Sequence, residues 1–93
     1  MNNHYILNML IVGNYIKNIK CESFLDVDTN RIRIRPLDNQ GIPTDLVIEC
    51  LREYRKTSVY PLGTTFVAAD VKVCQKPIGR IYLRAKDQLL SRL

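Results

Sequence analysis

F-L-D-V-D-T-N-R-I-R-I-R, residues 24–35, is the stretch that decides the fold. Folded back about Thr29-Asn30, it sets Asp28 against Arg31, Val27 against Ile32 and Asp26 against Arg33. Leu25 then faces Ile34, and Phe24 faces Arg35. The strand period of two places Leu25, Val27, Ile32 and Ile34 on one face and the acids and arginines on the other. The reading is a β-hairpin with one apolar face, which the rest of the chain must cover. Cross-strand pairing of Asp26 and Asp28 with Arg33 and Arg31 makes the polar face a self-neutralised, solvated one.

The covering material has to come from a single domain of 93 residues, of which 46% are hydrophobic and 25% charged. Such a composition is globular rather than disordered. Five Tyr and two Phe with no Trp leave little material for stacking platforms. The net charge of +5 is unevenly spread. Residues 1–30 hold two bases against three acids, 31–60 six against four, and 61–93 six against two. A basic C-terminal third points to an anionic partner, for which nucleic acid is the candidate.

Tyr5 to Val12 is apolar on both faces, which suits either the centre of the fold or a contact with a second copy of the chain. The sequence therefore predicts a homo-oligomer through Tyr5–Val12. The segment is too short, and too interrupted by Asn8 and Asn14, to span a bilayer, and it lacks the features of a signal peptide. Gly13-Asn14 offers a turn, and residues 15–22 a weaker strand. P-L-D-N-Q-G-I-P, residues 36–43, is irregular: Pro36 ends the ladder, and the loop either contacts a ligand or carries the chain across one end of a barrel.

Residues 44–56 admit two readings. Leu46, Val47, Cys50, Leu51 and Tyr54 share a helical face, and Thr44 or Asp45 suits an N-cap, which predicts a helix near 45–57. Against it, L-V-I-E-C alternates as a strand with Leu46, Ile48 and Cys50 inward. T-T-F-V-A-A-D-V-K-V-C, residues 64–74, is a strand with Val67, Ala69, Val71 and Val73 as its inner face. A five-residue turn returns it along residues 79–86 and pairs Val73 with Ile81, Val71 with Leu83 and Ala69 with Ala85. Residues 87–93 close the chain as a short helix. The fold class expected is α+β: about five antiparallel strands in a curved sheet or small open barrel, with the one helix near 45–57.

The outer face of this second hairpin collects Lys72, Arg80, Arg84 and Lys86 around Tyr82, with Asp70 as the one opposing charge. Cations that hold phosphates and a ring that accepts a base make these five residues the candidate nucleic-acid-binding set. Catalytic chemistry has little to draw on. There is no phosphate-cradling Gly-rich loop, and His4 is the sole histidine. The carboxylates neighbour cations that oppose a raised pKa. Cys21, Cys50 and Cys74 contain no C-x-x-C pair, so no metal site and no cofactor is expected, and reduced thiols fit a cytoplasmic protein.

R-I-R-I-R-P-L-x-x-Q-G-I-P-T-D-L-V-I-E-C at 31–50, followed by Y-P-L-G-T-x-F at 60–66, resembles a group of small bacterial proteins carried in integron-type mobile gene cassettes. The resemblance implies a bacterial, cytoplasmic protein with a compact β-rich fold. The group brings no assigned catalytic residues, so no site carries over. The function expected is a non-enzymatic binding module; the other class in view is a small-molecule-binding or catalytic protein.

Overall fold

Twelve residues, Tyr15–Asp26, form one continuous strand (β1), and it pairs on both sides. The computed structural model describes residues 10–93. After β1 come β2 (Arg31–Pro36), β3 (Ile48–Glu49), β4 (Thr65–Gln75), β5 (Ile81–Ala85) and β6 (Ser91–Arg92). They make one sheet in the order β2-β1-β4-β5-β3, with β6 added to β4. The sheet curls until its two ends, β2 and β3, lie against each other without hydrogen-bonded pairing. The result is a small, nearly closed barrel with an open seam.

The first hairpin forms, but with a longer turn than Thr29-Asn30 alone. Asp26 stands opposite Arg31, Leu25 opposite Ile32 and Ser23 opposite Ile34. The four-residue turn 27–30 is held by the Asp28 N–H donating to Asp26 Oδ1 at 3.1 Å, and Asn30 takes a left-handed φ of 55°. Because the slip is two residues, each side chain keeps its face. Val27 moves to the turn and is 79% exposed, while Ile34 is fully buried. Arg33 still meets Asp26, at 3.2 Å, and Arg35 meets Glu22 at 2.9 Å with its guanidinium 4.3 Å from the Phe24 ring centroid.

The inner face of β4 differs from the expected one. Val71 and Val73 are buried, but so are Phe66 and Ala68, while Ala69 faces solvent. β1 makes the same change, burying Ile16 and then Ile19. Both strands switch face at one place, Asn18 opposite Ala69 in the register that pairs Lys17 with Asp70 and Ile19 with Ala68. Asn18 permits it with a φ of 54°, a conformation Asn tolerates better than other non-glycine residues. Phe66 thereby enters the core, edge-on to Tyr54 and Tyr60 at 5.5 and 5.2 Å. Pro61-Leu62-Gly63-Thr64 feeds β4 through a tight turn that places Gly63 at φ 88°, as a type II turn requires at its third position.

The second hairpin also slips by two, pairing Val73 with Leu83 and Val71 with Ala85 around the loop 76–80. Its faces are again preserved. β6 continues along the same side of β4, opposite Val67 and Phe66. The backbone bulges between β5 and β6, with Asp87 and Gln88 at left-handed φ of 54° and 58°. Two such residues in succession break a right-handed helix, so the helix expected over 87–93 is replaced by a 3-10 turn, Lys86–Gln88, and a strand.

The helix near 45–57 does not form either, and among the described residues there is no α-helix. The strand alternation of L-V-I-E-C wins: Leu46, Ile48 and Cys50 point inward, and Ile48 pairs with Leu83 in a parallel ladder. Only Arg52–Arg55 turns, as one 3-10 turn that buries Tyr54. The loop after β2 lies beside β1, with the Leu37 N–H donating to the Lys20 carbonyl at 2.9 Å. There the Gln40 side chain accepts from the Lys20 N–H and donates to the Lys20 carbonyl, both at 2.8 Å, as a strand residue would.

Of the predicted interface Tyr5–Val12, residues 5–9 lie outside the described residues. Leu10 packs on the core, and Ile11 and Val12 are about half exposed beside a turn. No helix among the described residues is long and apolar enough to cross a membrane.

If Asn18 is the pivot of the face switch, its backbone conformation sets the cost of replacing it. Asn18→Val places a β-branched residue in the left-handed region and is expected to lower stability by about 1–2 kcal/mol, whereas Asn18→Gly stays near the parent. Urea unfolding of the two variants checks this, and equal losses would count against the pivot.

Candidate functional site

Where the barrel fails to close, the seam opens into a cleft of about 410 Å³. Arg33 and Ile34 of β2 form one wall, and residues 47–50 of and around β3 the other. The start of β5 (Ile81, Tyr82) and the loop residues Lys76, Gly79 and Arg80 complete it, with Arg55 reaching in from the 3-10 turn. Ile34, Ile48 and Ile81 supply an apolar floor, and Arg33, Arg55, Lys76 and Arg80 a cationic rim. A second groove of about 360 Å³ is lined by Arg31, Ile32, Arg52, Arg55 and Lys56. Arg55 belongs to both, so the two form one basic band along the seam.

The band's charges differ in what holds them. Arg33 is tied to Asp26 at 3.2 Å and Arg80 to Asp45 at 3.1 Å, the latter pair 69% and 64% exposed and therefore weakly held. Arg31, Arg52, Arg55 and Lys56 have no ion-pair partner among the described residues. Arg55 is half-buried, and its Nε is fully buried with no hydrogen-bond partner. Leaving a buried donor unsatisfied costs about 1–3 kcal/mol and more when the group is charged, so this guanidinium is incompletely served by the protein. On the opposite lip the Lys76 ammonium stands 5.8 Å from the Tyr82 ring centroid.

The five residues picked from the sequence divide across this geometry. Arg80 and Tyr82 line the cleft. Lys72 and Arg84 are cross-strand neighbours on the outer sheet face, and Lys86 begins the 3-10 turn after β5. That outer face is less cationic than its sequence suggests, because β3 lies parallel to β5 and sets Glu49 beside Arg84 at 2.8 Å. The Glu49 hydrogen bond pushes the Arg84 pKa up. Lys17 bonds Asp70 at 2.8 Å and holds that carboxyl below its usual range, with Lys86 adding to the effect.

Sequence reasoning missed Arg52, Arg55 and Lys56, because only the apolar face of residues 44–56 was singled out, and Arg31 and Arg33, which it had read as self-paired. A signal was present: R-E-Y-R-K at 52–56 carries three cations against Glu53 alone. None of residues 36–43 lines the cleft. Among the described residues no three His, Cys, Asp or Glu side chains cluster to hold a metal ion.

The thiols are poorly set for nucleophilic work. Burial pushes Cys21 up from 9.0 to about 12, with the neighbouring Cys50 adding to the rise, and its Sγ donates to the Phe66 carbonyl at 3.6 Å. Burial likewise pushes Cys50, at the cleft, up to about 11, although the Arg55 charge pulls the other way. No known protein family, curated protein or solved structure matches the chain.

These thiols carry a testable consequence. At about pH 8 a thiolate-directed alkylating agent should modify the half-buried Cys74 and spare Cys21 and Cys50 in the native state. Their folded pKa values of about 12 and about 11 lie above the ordinary 9.0, so their contribution to stability is complete below that value. It declines as pH rises through 9 toward 11–12, because the unfolded chain ionises first. Peptide mapping after labelling and denaturant midpoints across alkaline pH read both effects.

Proposed function

We propose that the protein is a non-enzymatic binding module for nucleic acid and that its contact surface is the basic band along the barrel seam. One observation carries this reading: Arg31, Arg52, Arg55 and Lys56 lie together on that seam without ion-pair partners among the described residues. Cations that the fold leaves unneutralised are available to phosphates, and each phosphate contact releases counterions. The adjoining cleft, with an apolar floor and an aromatic lip, suits unpaired bases more than a closed duplex. Lys72, Arg84 and Lys86 form a second, weaker basic surface in this reading, since Arg84 is already engaged by Glu49.

The resemblance to small integron-cassette proteins supports a bacterial and cytoplasmic setting. A second copy of the chain is the other partner proposed, through residues 5–12, because Ile11, Val12 and Tyr15 remain about half exposed. Sedimentation of the intact chain at high concentration should then give more than the monomer mass of 10.8 kDa.

Titration of a labelled oligothymidylate at several salt concentrations tests the main reading. Four phosphate contacts predict a log–log slope of about −3 on a single strand. The double variant Arg52→Gln/Lys56→Gln should flatten the slope by about one unit or more, while Lys72→Gln/Lys86→Gln on the sheet face should leave it nearly unchanged. Absence of salt-sensitive binding in the micromolar range removes the proposal, and the reverse ranking of the two variants moves the surface to the sheet face.

A further inference from the structure

The band explains attraction for a polyanion but not why it runs into a cleft with an apolar floor. A purely electrostatic track needs no cavity, and a purely apolar pocket needs no cations at its rim. Here both meet at Arg55, which lines the cleft and the outer groove alike. A guanidinium presents two Nη–H groups at its tip, a fork that matches two oxygens of a phosphate. In this structure the Arg55 Nε is buried in the protein, so the Nη pair, which has no hydrogen-bond partner among the described residues, is the edge a ligand can reach.

We propose that the seam cleft is a subsite for one nucleotide unit, its phosphate held by the Nη groups of Arg55 and its base laid against the partly exposed Val47 and Ile81 beside Tyr82, above the buried Ile34 and Ile48. The volume of about 410 Å³ falls within the ordinary range for ligand sites, on the order of 300–1,000 Å³. The acid in the lining, Glu49, is occupied by Arg84 at 2.8 Å and so offers little repulsion to a phosphate. Lys76, standing over the Tyr82 ring on the far lip, supplies a second positive charge on the side where the base enters. The ligand chemistry is thus a flat ring joined to a phosphate, and it is shared by a free mononucleotide and by one link of a single strand.

This subsite rests on the nucleic-acid reading of the band, and one experiment separates the two. Backbone amides of the full-length, isotope-labelled chain are followed while uridine monophosphate, inorganic phosphate or a short oligouridylate is added. The mononucleotide should shift Ile34, Ile48, Arg55, Ile81 and Tyr82 saturably, and inorganic phosphate should shift Arg55 far more weakly. Arg55→Gln should weaken mononucleotide binding by about tenfold or more, and Arg55→Lys should do nearly as much harm, because it keeps the charge but loses the fork. Arg52→Gln should weaken the oligonucleotide and spare the mononucleotide, and each variant's amide dispersion reports whether it is folded.

Oligonucleotide binding that leaves the cleft amides unmoved overturns the subsite while leaving the band intact. Inorganic phosphate matching the mononucleotide overturns it too, since the floor then contributes nothing. Full retention of mononucleotide binding by both Arg55 variants does the same. Mononucleotide binding at the cleft without any oligonucleotide binding would identify the free nucleotide as the ligand and retire the band.

Discussion

A parallel ladder of two residues, Ile48 opposite Leu83 and Glu49 opposite Arg84, holds both the barrel and its surface chemistry in place. It is short, yet it buries Ile48 and Leu83 against the core. By attaching β3 to β5 it defines the far end of the sheet, and so it defines the seam against β2. It also delivers Glu49 to Arg84, with Asp45 a few residues upstream reaching Arg80. The acids of the 45–49 segment are thus committed to the β5 side. The cations on the other side of the seam, Arg31 and Arg52 to Lys56, keep their charge.

Curvature is what brings the two ends of the sheet close enough for a seam to exist. A flat sheet would leave β2 and β3 at opposite edges. Here β1 and β4 reverse their inward faces together at Asn18 and Ala69, so one strand pair lines two differently directed parts of the barrel wall. The reversal turns Phe66 inward to the Tyr54–Tyr60 cluster, and Tyr54 belongs to the same 3-10 turn that carries Arg52 and Arg55. Aromatic packing beneath the turn therefore fixes where its cations stand above it. Core and site are linked through this one short turn.

Much of this was legible in residues 24–35 and 71–86, where side-chain alternation assigns faces regardless of small errors in turn length. Both hairpins sit two residues from the expected register, and a slip of two cannot exchange inside for outside. What alternation could not show was the place where it breaks. Ile16 to Ile19 and Ala68 to Val71 are spaced by three, but only the pairing of the two strands shows that the breaks coincide. Residues 45–50 were ambiguous for a different reason. L-V-I-E-C satisfies both periods, and the contact that settles it, Ile48 with Leu83, spans the chain. The candidate site suffered from the same cause: charges were counted along strands, while their neutralising partners and their companions come from segments far away in sequence.

Electrostatics also helps to keep the seam open. Closing β2 onto β3 would bring Arg31 toward Arg52 and Arg55 of the 3-10 turn and Lys56 just after it. Like charges drawn together in a partly desolvated groove repel more strongly than they do in bulk water, because the local dielectric is lower. Glu49 stands in that wall and is the acid best placed to relieve the repulsion, but its carboxylate is bonded to Arg84 on the outer face. A fold that directs its acids away from a cluster of arginines keeps a field along the groove at some cost to its own stability. An anion bound in the groove, as proposed, would lower that cost, and occupancy of the seam would then be thermodynamically coupled to stability of the barrel.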